Sequence, residues 1–330
     1  MRHLGRSLPR LEASPLVAGR GWFVGAIDMG DQLSMRVVRS PFPHARITSV
    51  DVSEALALPG VVAAWSWADL GDLPPIGYRR DGSDALAPYR QPILASDVVR
   101  YVGEPVAVVF AEDAAIAEDA ADRVDFRADL LDASVDPATS AFGGSSDRAT
   151  AAVVEQRFGD VDAAFAAADL VVELELEIGR HSAVPLEPRG LVARWDGARD
   201  MLDVFGAARF PHIDRDMLAA QIGRPASRVA LIESHVGGGF GVRGEIGPEA
   251  LRLGRPVAWI EDRSEHMIAA AHARGQRHIA RIAAQDDGRL VAMDVTFMLD
   301  QGAYLRPDGL LTAQLTAAML INVIGRGGDV

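Results

Sequence analysis

The sequence predicts an α+β protein in two segments, on three observations. Short β-type runs broken by proline and glycine fill the stretch from Trp22 to Asp136, and an apolar/acidic alternation occupies Leu170–Ile178. Between them, Ser134–Ala152 (SVDPATSAFGGSSDRATAA) is small and polar and carries Pro137 and Gly143-Gly144, which reads as a linker. The chain has 330 residues, enough for about two domains. The expected division is an N-terminal extension (1–19), a first domain (20–135), a linker (136–155) and a second domain (156–330).

Leu33–Val38 reads as a strand that stops at Ser40-Pro41-Phe42-Pro43, because two prolines remove ladder donors. Val50–Val52 and Val61–Trp65 are short strands on either side of Pro59-Gly60, and Val98–Tyr101 is another, ending at Gly103. Pro105–Ala111 (PVAVVFA) is an apolar run of strand length. It feeds a helix with Ile116, Ala120 and Val124 at helical spacing. In Leu170–Ile178 the residues Val172, Leu174, Leu176 and Ile178 share one face and Glu173, Glu175 and Glu177 the other. Ile213–Ile222 predicts a helix with Ile213, Met217, Leu218 and Ile222 on one face, ended by Gly223 and Pro225. Ser227–Glu233 and Pro256–Ile260 are apolar strands, and Gln276–Gln285 with Leu290–Asp300 form a hairpin around Asp286-Asp287-Gly288.

The chain is 49% hydrophobic and 24% charged, which is a globular balance. It contains no cysteine, which removes disulfides, thiol nucleophiles, iron–sulfur ligation and Cys-bound zinc. It contains no lysine, which removes a Schiff base, a P-loop lysine and a lysine base. A net charge of −13 disfavours nucleic acid as a partner. No apolar run reaches the length of a membrane span, and the opening residues lack the continuous apolar stretch of a secretory signal, so a cytoplasmic location is expected.

The densest feature is Val236-Gly237-Gly238-Gly239-Phe240-Gly241-Val242-Arg243-Gly244. Glycines leave backbone N–H groups bare and permit positive φ, so such a loop can wrap an anion or a cofactor oxygen. It can equally be a structural turn. Gly239, Gly241 and Gly244 also spell G-x-G-x-x-G, with Glu261 and Asp262 where a ribose-binding acid would stand, which keeps an NAD-binding dehydrogenase as an alternative. His181–Gly190 (HSAVPLEPRG) presents His181, Glu187 and Arg189 on an irregular loop. Glu187 and Arg189 are either catalytic or an ion pair that holds the loop, and the second reading is the commoner outcome for such a pair. His266, His272 and His278 recur every six residues, which matches no metal-binding spacing, and G-x-S-x-G is absent. The acid pairs Glu112-Asp113 and Glu118-Asp119 read as a solvated helix face.

Six phrases together resemble the molybdopterin-binding large subunit of the xanthine dehydrogenase, aldehyde oxidase and carbon monoxide dehydrogenase family. In order they are Arg39-Ser40-Pro41-Phe42-Pro43-His44-Ala45, Arg100–Val109, His181–Gly190, His235–Gly241, Gly254-Arg255-Pro256-Val257 and Asp300-Gln301-Gly302-Ala303-Tyr304. The resemblance implies an α/β hammerhead domain over residues 20–135, followed by a truncated mixed α/β molybdopterin-binding domain. It implies a molybdenum-pterin cofactor, either molybdopterin or its cytosine dinucleotide form. Gly237, Gly238, Gly239, Phe240 and Gly241, with Arg243 and Arg209 beside them, would lie at its metal end. The metal would be held by the pterin sulfurs, so no protein metal ligand is expected.

The same resemblance implies oxidative hydroxylation of an aldehyde or N-heterocycle. Electrons would pass to iron–sulfur and FAD partner subunits, with no role for membrane or nucleic acid. The family's base is a glutamate in a Gly-x-Gly-Glu phrase that this sequence does not contain, so no catalytic residue is assigned here.

Several features depart from the family. Arg209 stands where several members carry Gln, Arg243 is followed by Gly244 before Glu245, the chain is about ten residues short between Glu249 and Leu251, and Ile321–Val330 follows no family pattern. The expectation is therefore a large-subunit fragment that is incomplete without a second half, or alternatively a non-catalytic truncated or assembly protein that keeps the hammerhead domain.

Overall fold

The computed structural model describes residues 4–71, 73–78, 84–137, 150–244, 254–273 and 275–305. Most of the expected linker (138–149), the shortened stretch (245–253) and the tail Ile321–Val330 lie outside the described residues.

The first segment supplies β1 (Leu33–Arg39), β2 (Ala45–Asp51), β3 (Val61–Ser66), β4 (Val98–Val99), β5 (Pro105–Ala111), α1 (Ala114–Ala121) and β6 (Asp125–Leu130). The second supplies α2 (Val161–Ala166), β7 (Leu170–Ile178), β8 (His181–Ser182), β9 (Gly190–Asp196), β10 (Met201–Phe205), α3 (Pro211–Gln221) and β11 (Val229–Ile232). It continues with β12 (Val257–Ile260), α4 (Arg263–Ala269), β13 (His272–Ala273), β14 (Gln276–Ala284) and β15 (Leu290–Leu299).

Both segments build one seven-stranded mixed sheet in the order β11-β10-β9-β12-β1-β5-β3. The seam is the parallel pair β1/β12, in register at Leu33↔Val257 and Ser34↔Ala258. Two pairs make a short ladder, so side chains carry much of the junction. Leu33, Met35, Val37, Val108, Phe110, Val257 and Trp259 form one buried cluster across it. The β5 run of seven apolar residues is buried along its whole length, as a central strand covered on both faces requires. At the end of the seam, Arg39 Nη2 donates to the buried Glu265 carboxylate at 2.6 Å, and Arg36 pairs with Asp262.

Several elements differ from the sequence reading, each for a local reason. The strand expected at Val50–Val52 begins at Ala45, and a helical turn (Ser53–Leu56) follows it. Val98–Tyr101 is a strand only at Val98–Val99, because the Arg100 N–H donates to the Glu104 carboxylate (2.5 Å) rather than to a neighbouring strand. Ser227–Glu233 shortens to Val229–Ile232, since Ala226–Arg228 takes a 3₁₀ turn. On α3 the buried side is Asp214, Leu218 and Ala219, while Ile213 is 41% exposed, so the apolar stripe is rotated from the expected one. The hairpin β14/β15 and the strand β7 form as read and make a separate sheet, β15-β14-β7.

Candidate functional site

The glycine loop follows β11 at the edge of the large sheet. Its entry is fixed by Trp22, whose N–H donates to His235 Nδ1 at 2.7 Å, while the His235 N–H donates to the Trp22 carbonyl at 2.8 Å. The bend itself is built on Glu187. The Gly237 N–H donates to Glu187 Oε2 at 2.7 Å, the Glu187 N–H donates back to the Gly237 carbonyl at 3.2 Å, and the Val24 N–H donates to Glu187 Oε1 at 3.3 Å. A Cβ on Gly237 would lie 2.5 Å from the Glu187 Cβ, so glycine is required there.

Arg243 closes the clamp from the far end of the loop. Its Nε donates to the Gly238 carbonyl at 2.6 Å, and its Nη2 reaches Glu187 Oε2 at 2.8 Å, the Glu187 carbonyl at 2.6 Å and the Pro188 carbonyl at 3.0 Å. Burial pushes the Arg243 guanidinium down from its ordinary range, opposed by the attraction of Glu187. Arg209 joins through its backbone, whose N–H donates to the Arg243 carbonyl at 3.1 Å, and its guanidinium lies 4.9 Å from the Phe210 ring centre.

Among the described residues, nothing closes the other side of the loop. Gly238, Phe240 and Gly241 have φ of 109°, 50° and 102°. A left-handed conformation is costly for phenylalanine, yet Phe240 is 79% exposed, so no packing of its ring accounts for it. Cβ atoms built on Gly239 and Gly241 meet nothing within 4 Å. The N–H groups of Gly239, Phe240 and Gly241 donate to no other described residue. This is the arrangement a cofactor oxygen or anion needs: successive bare donors on a backbone with room above it.

Glu187 and Arg189 do not pair with each other. Glu187 pairs with Arg243, and Arg189 Nη2 donates to the buried Glu261 at 2.5 Å. His266, fully buried, completes this second cluster, with Nδ1 2.8 Å from Glu261 Oε2 and Nε2 2.9 Å from the Ala183 carbonyl. Burial works against the Glu261 charge, but its bonds to Arg189 and His266 hold the carboxyl below its ordinary range. The cluster ties β12 and α4 to the loop that carries Glu187. The sequence weighed His266 only as a metal ligand and missed this role, because one of its two partners, the Ala183 carbonyl, lies 83 positions upstream.

The dinucleotide alternative through Gly239, Gly241 and Gly244 fails on topology. In that fold the strand before the glycines and the strand carrying the acid are neighbours, whereas β10 and β9 separate β11 from β12 here. Glu261 is also consumed by Arg189 and His266, and Asp262 caps α4 by accepting from the Glu265 N–H at 2.7 Å. Among the described residues no group of three or more His, Asp or Glu could hold a metal ion, and no helix is long and apolar enough to cross a membrane.

Comparison with known proteins gives the cradle its context. Residues 18–128 match the aldehyde oxidase and xanthine dehydrogenase a/b hammerhead domain, and residues 145–323 match the molybdopterin cofactor-binding domain. The nicotine 6-hydroxylase large subunit of Paenarthrobacter nicotinovorans is 35% identical over 98% of this chain, but only 41% of that relative is covered. The quinoline 2-oxidoreductase structure from Pseudomonas putida 86 superimposes with a TM-score of 0.81 at 35% identity, covering 91% of this chain and 40% of that one. The nicotinate dehydrogenase large molybdopterin subunit of Eubacterium barkeri is 30% identical, and there the match covers 71% of the relative. This chain thus spans about two-fifths of the first two. A molybdenum-pterin is the cofactor this fold serves. The chain belongs to the molybdopterin-binding large subunits of the xanthine dehydrogenase and aldehyde oxidase family.

Proposed function

We propose that this chain is one part of a molybdenum hydroxylase large subunit, comprising a hammerhead domain (20–135) and a partial molybdopterin domain (156–330). A second polypeptide would complete the pterin pocket and bring the base glutamate. Iron–sulfur and FAD subunits would carry the electrons away. The observation that carries this reading is the cradle of Gly239, Phe240 and Gly241, bare on one side and clamped on the other by Glu187 and Arg243.

When bound, the cofactor supplies the two-electron oxidation and the site at which oxygen is delivered to a carbon. The chain's own residues do the rest. The bare N–H groups of Gly239, Phe240 and Gly241 offer fixed dipoles to negative charge on a cofactor oxygen, with no reorganisation needed. Phe240, exposed on this side, would exclude water once the pocket is closed. Glu187 and Arg243 hold the bend through bonds to each other and to the loop.

The relatives' names point to the substrate class. Nicotine, nicotinate and quinoline are all N-heteroaromatic compounds, which favours an N-heterocycle over an aldehyde for this subunit. The shorter Eubacterium barkeri subunit supports the division into parts, because the same region makes up most of that chain.

The test is to purify the chain alone and co-expressed with the portion of the Paenarthrobacter nicotinovorans large subunit that lies outside the match, then measure molybdenum by mass spectrometry and pterin by fluorescence. The chain alone should hold molybdenum well below one equivalent, and the pair should approach one. A complex that stays free of pterin would contradict the proposal and favour a non-catalytic protein.

A further inference from the structure

Strand β7 is an edge strand that nothing in the described structure covers. All nine of its residues are exposed, including Leu170, Val172, Leu174, Leu176 and Ile178. Its inner edge pairs with β14 from Leu170↔Ala284 to Ile178↔Gln276, and among the described residues no strand lies on its outer edge. The register extends the apolar face across the sheet: Val172, Ile282 and Met293 form one row over the three strands, and Leu174, Ala280 and Val295 the next. The opposite face is the one α2 approaches, since Arg281 stacks 4.7 Å from the Phe165 ring centre. A nine-residue edge with an apolar face is a template for strand addition, which folded proteins normally cover or blunt.

Charge decides what can add. The face opposite the apolar one carries Glu173, Glu175 and Glu177, and among the described residues only Glu175 has an ion-pair partner on its own sheet, Arg277, whose Nε donates at 2.6 Å. A second copy of this chain, paired antiparallel across a two-fold axis, would set acid opposite acid in every register that overlaps most of the strand. Like charges directly opposed destabilise a strand pair. The favoured occupant is therefore a different segment, with apolar residues on one side and arginine or lysine on the other.

We propose that β7 receives an added strand of this kind from the polypeptide that completes the large subunit, so that the sheet β15-β14-β7 is the joint between the two parts. This rests on the incomplete-subunit reading above.

The probe is the same remaining portion of the Paenarthrobacter nicotinovorans large subunit, mixed with the full chain. The readouts are dissociation constant by titration and hydrogen–deuterium exchange over 170–178. The double variant L174K/L176K changes side chains about half exposed, 50% and 48%, so its melting temperature should match the parent. The expected result is protection of the 170–178 amides in the complex and at least tenfold weaker binding by the double variant. Two outcomes overturn the proposal, and they are distinguishable. Binding with 170–178 unprotected and the variant unaffected sinks the β7 joint and leaves the incomplete-subunit reading standing. Failure of the parent chain to bind the fragment at all sinks that reading and the joint with it.

Discussion

Glu187 and Gly237 bind each other in both directions. The glycine N–H donates to the carboxylate at 2.7 Å, and the glutamate N–H donates to the glycine carbonyl at 3.2 Å. This reciprocal contact, locked by Arg243, is what allows the next residues to leave their donors free. The bend is held from one side by these bonds.

Removing the clamp should therefore unsettle the fold locally and strongly. Glu187→Ala leaves the Arg243 guanidinium buried without its carboxylate, a loss of about 3 to 5 kcal/mol for breaking a buried pair from one side. Glu187→Gln keeps the shape and an acceptor, so it should cost less. Urea denaturation of the two variants checks the order.

Gly237→Ala should also destabilise, since its Cβ would meet the Glu187 Cβ at 2.5 Å and the bend would have to open. The expected sign is a lower melting temperature, read by circular dichroism. A variant as stable as the parent would mean the bend is looser than described.

Acid should weaken the second cluster. The Glu261 carboxyl lies below its ordinary value of 4.5 in the folded chain, despite burial, through Arg189 and His266. A carboxyl with a depressed folded value contributes stability above its unfolded value and loses it as the pH falls through the folded one. The melting temperature should drop as the pH is lowered below about 4.5. In Glu261→Gln this part of the slope should flatten, on a less stable background.

Tyr304 and Glu104 behave in the opposite sense. The Tyr304 hydroxyl donates to the buried Glu104 Oε1 at 2.6 Å, and burial raises both groups above their ordinary ranges. The sign for Glu104 is that its contribution is present below its unfolded value and lost as the pH rises through the folded one. Tyr304→Phe leaves Glu104 one donor short, at a cost of about 1 to 3 kcal/mol. In a spectroscopic titration Tyr304 should be the last tyrosine to ionise.

Elements whose signal is local were legible in the sequence. The β7 alternation, the apolar β5 run, the β14/β15 hairpin and the α3 stop at Gly223 all appear where residue pattern and turn chemistry place them. The loop Gly237–Gly241 was visible for the same reason, since glycine density is a one-dimensional signal. What was not legible depends on partners distant in the chain. The seam of β1 with β12 joins residues more than two hundred positions apart. Glu187 and Arg189, two residues apart, look like a pair in sequence and answer to Arg243 and Glu261 in space. Arg100 shows the smaller version of this, where one side chain, Glu104, takes a backbone donor and ends a strand that its apolar residues would have continued.

The most direct measurement is the pterin and molybdenum content of Gly239→Ala in the co-expressed complex. Gly239 does not have a positive φ, and a Cβ there meets nothing within 4 Å, so the variant's folding stability should lie within about 0.5 kcal/mol of the parent's, as for an exposed substitution. The cradle predicts an unchanged fold with cofactor content severalfold lower. Undiminished pterin and molybdenum in a well-folded Gly239→Ala complex would contradict it.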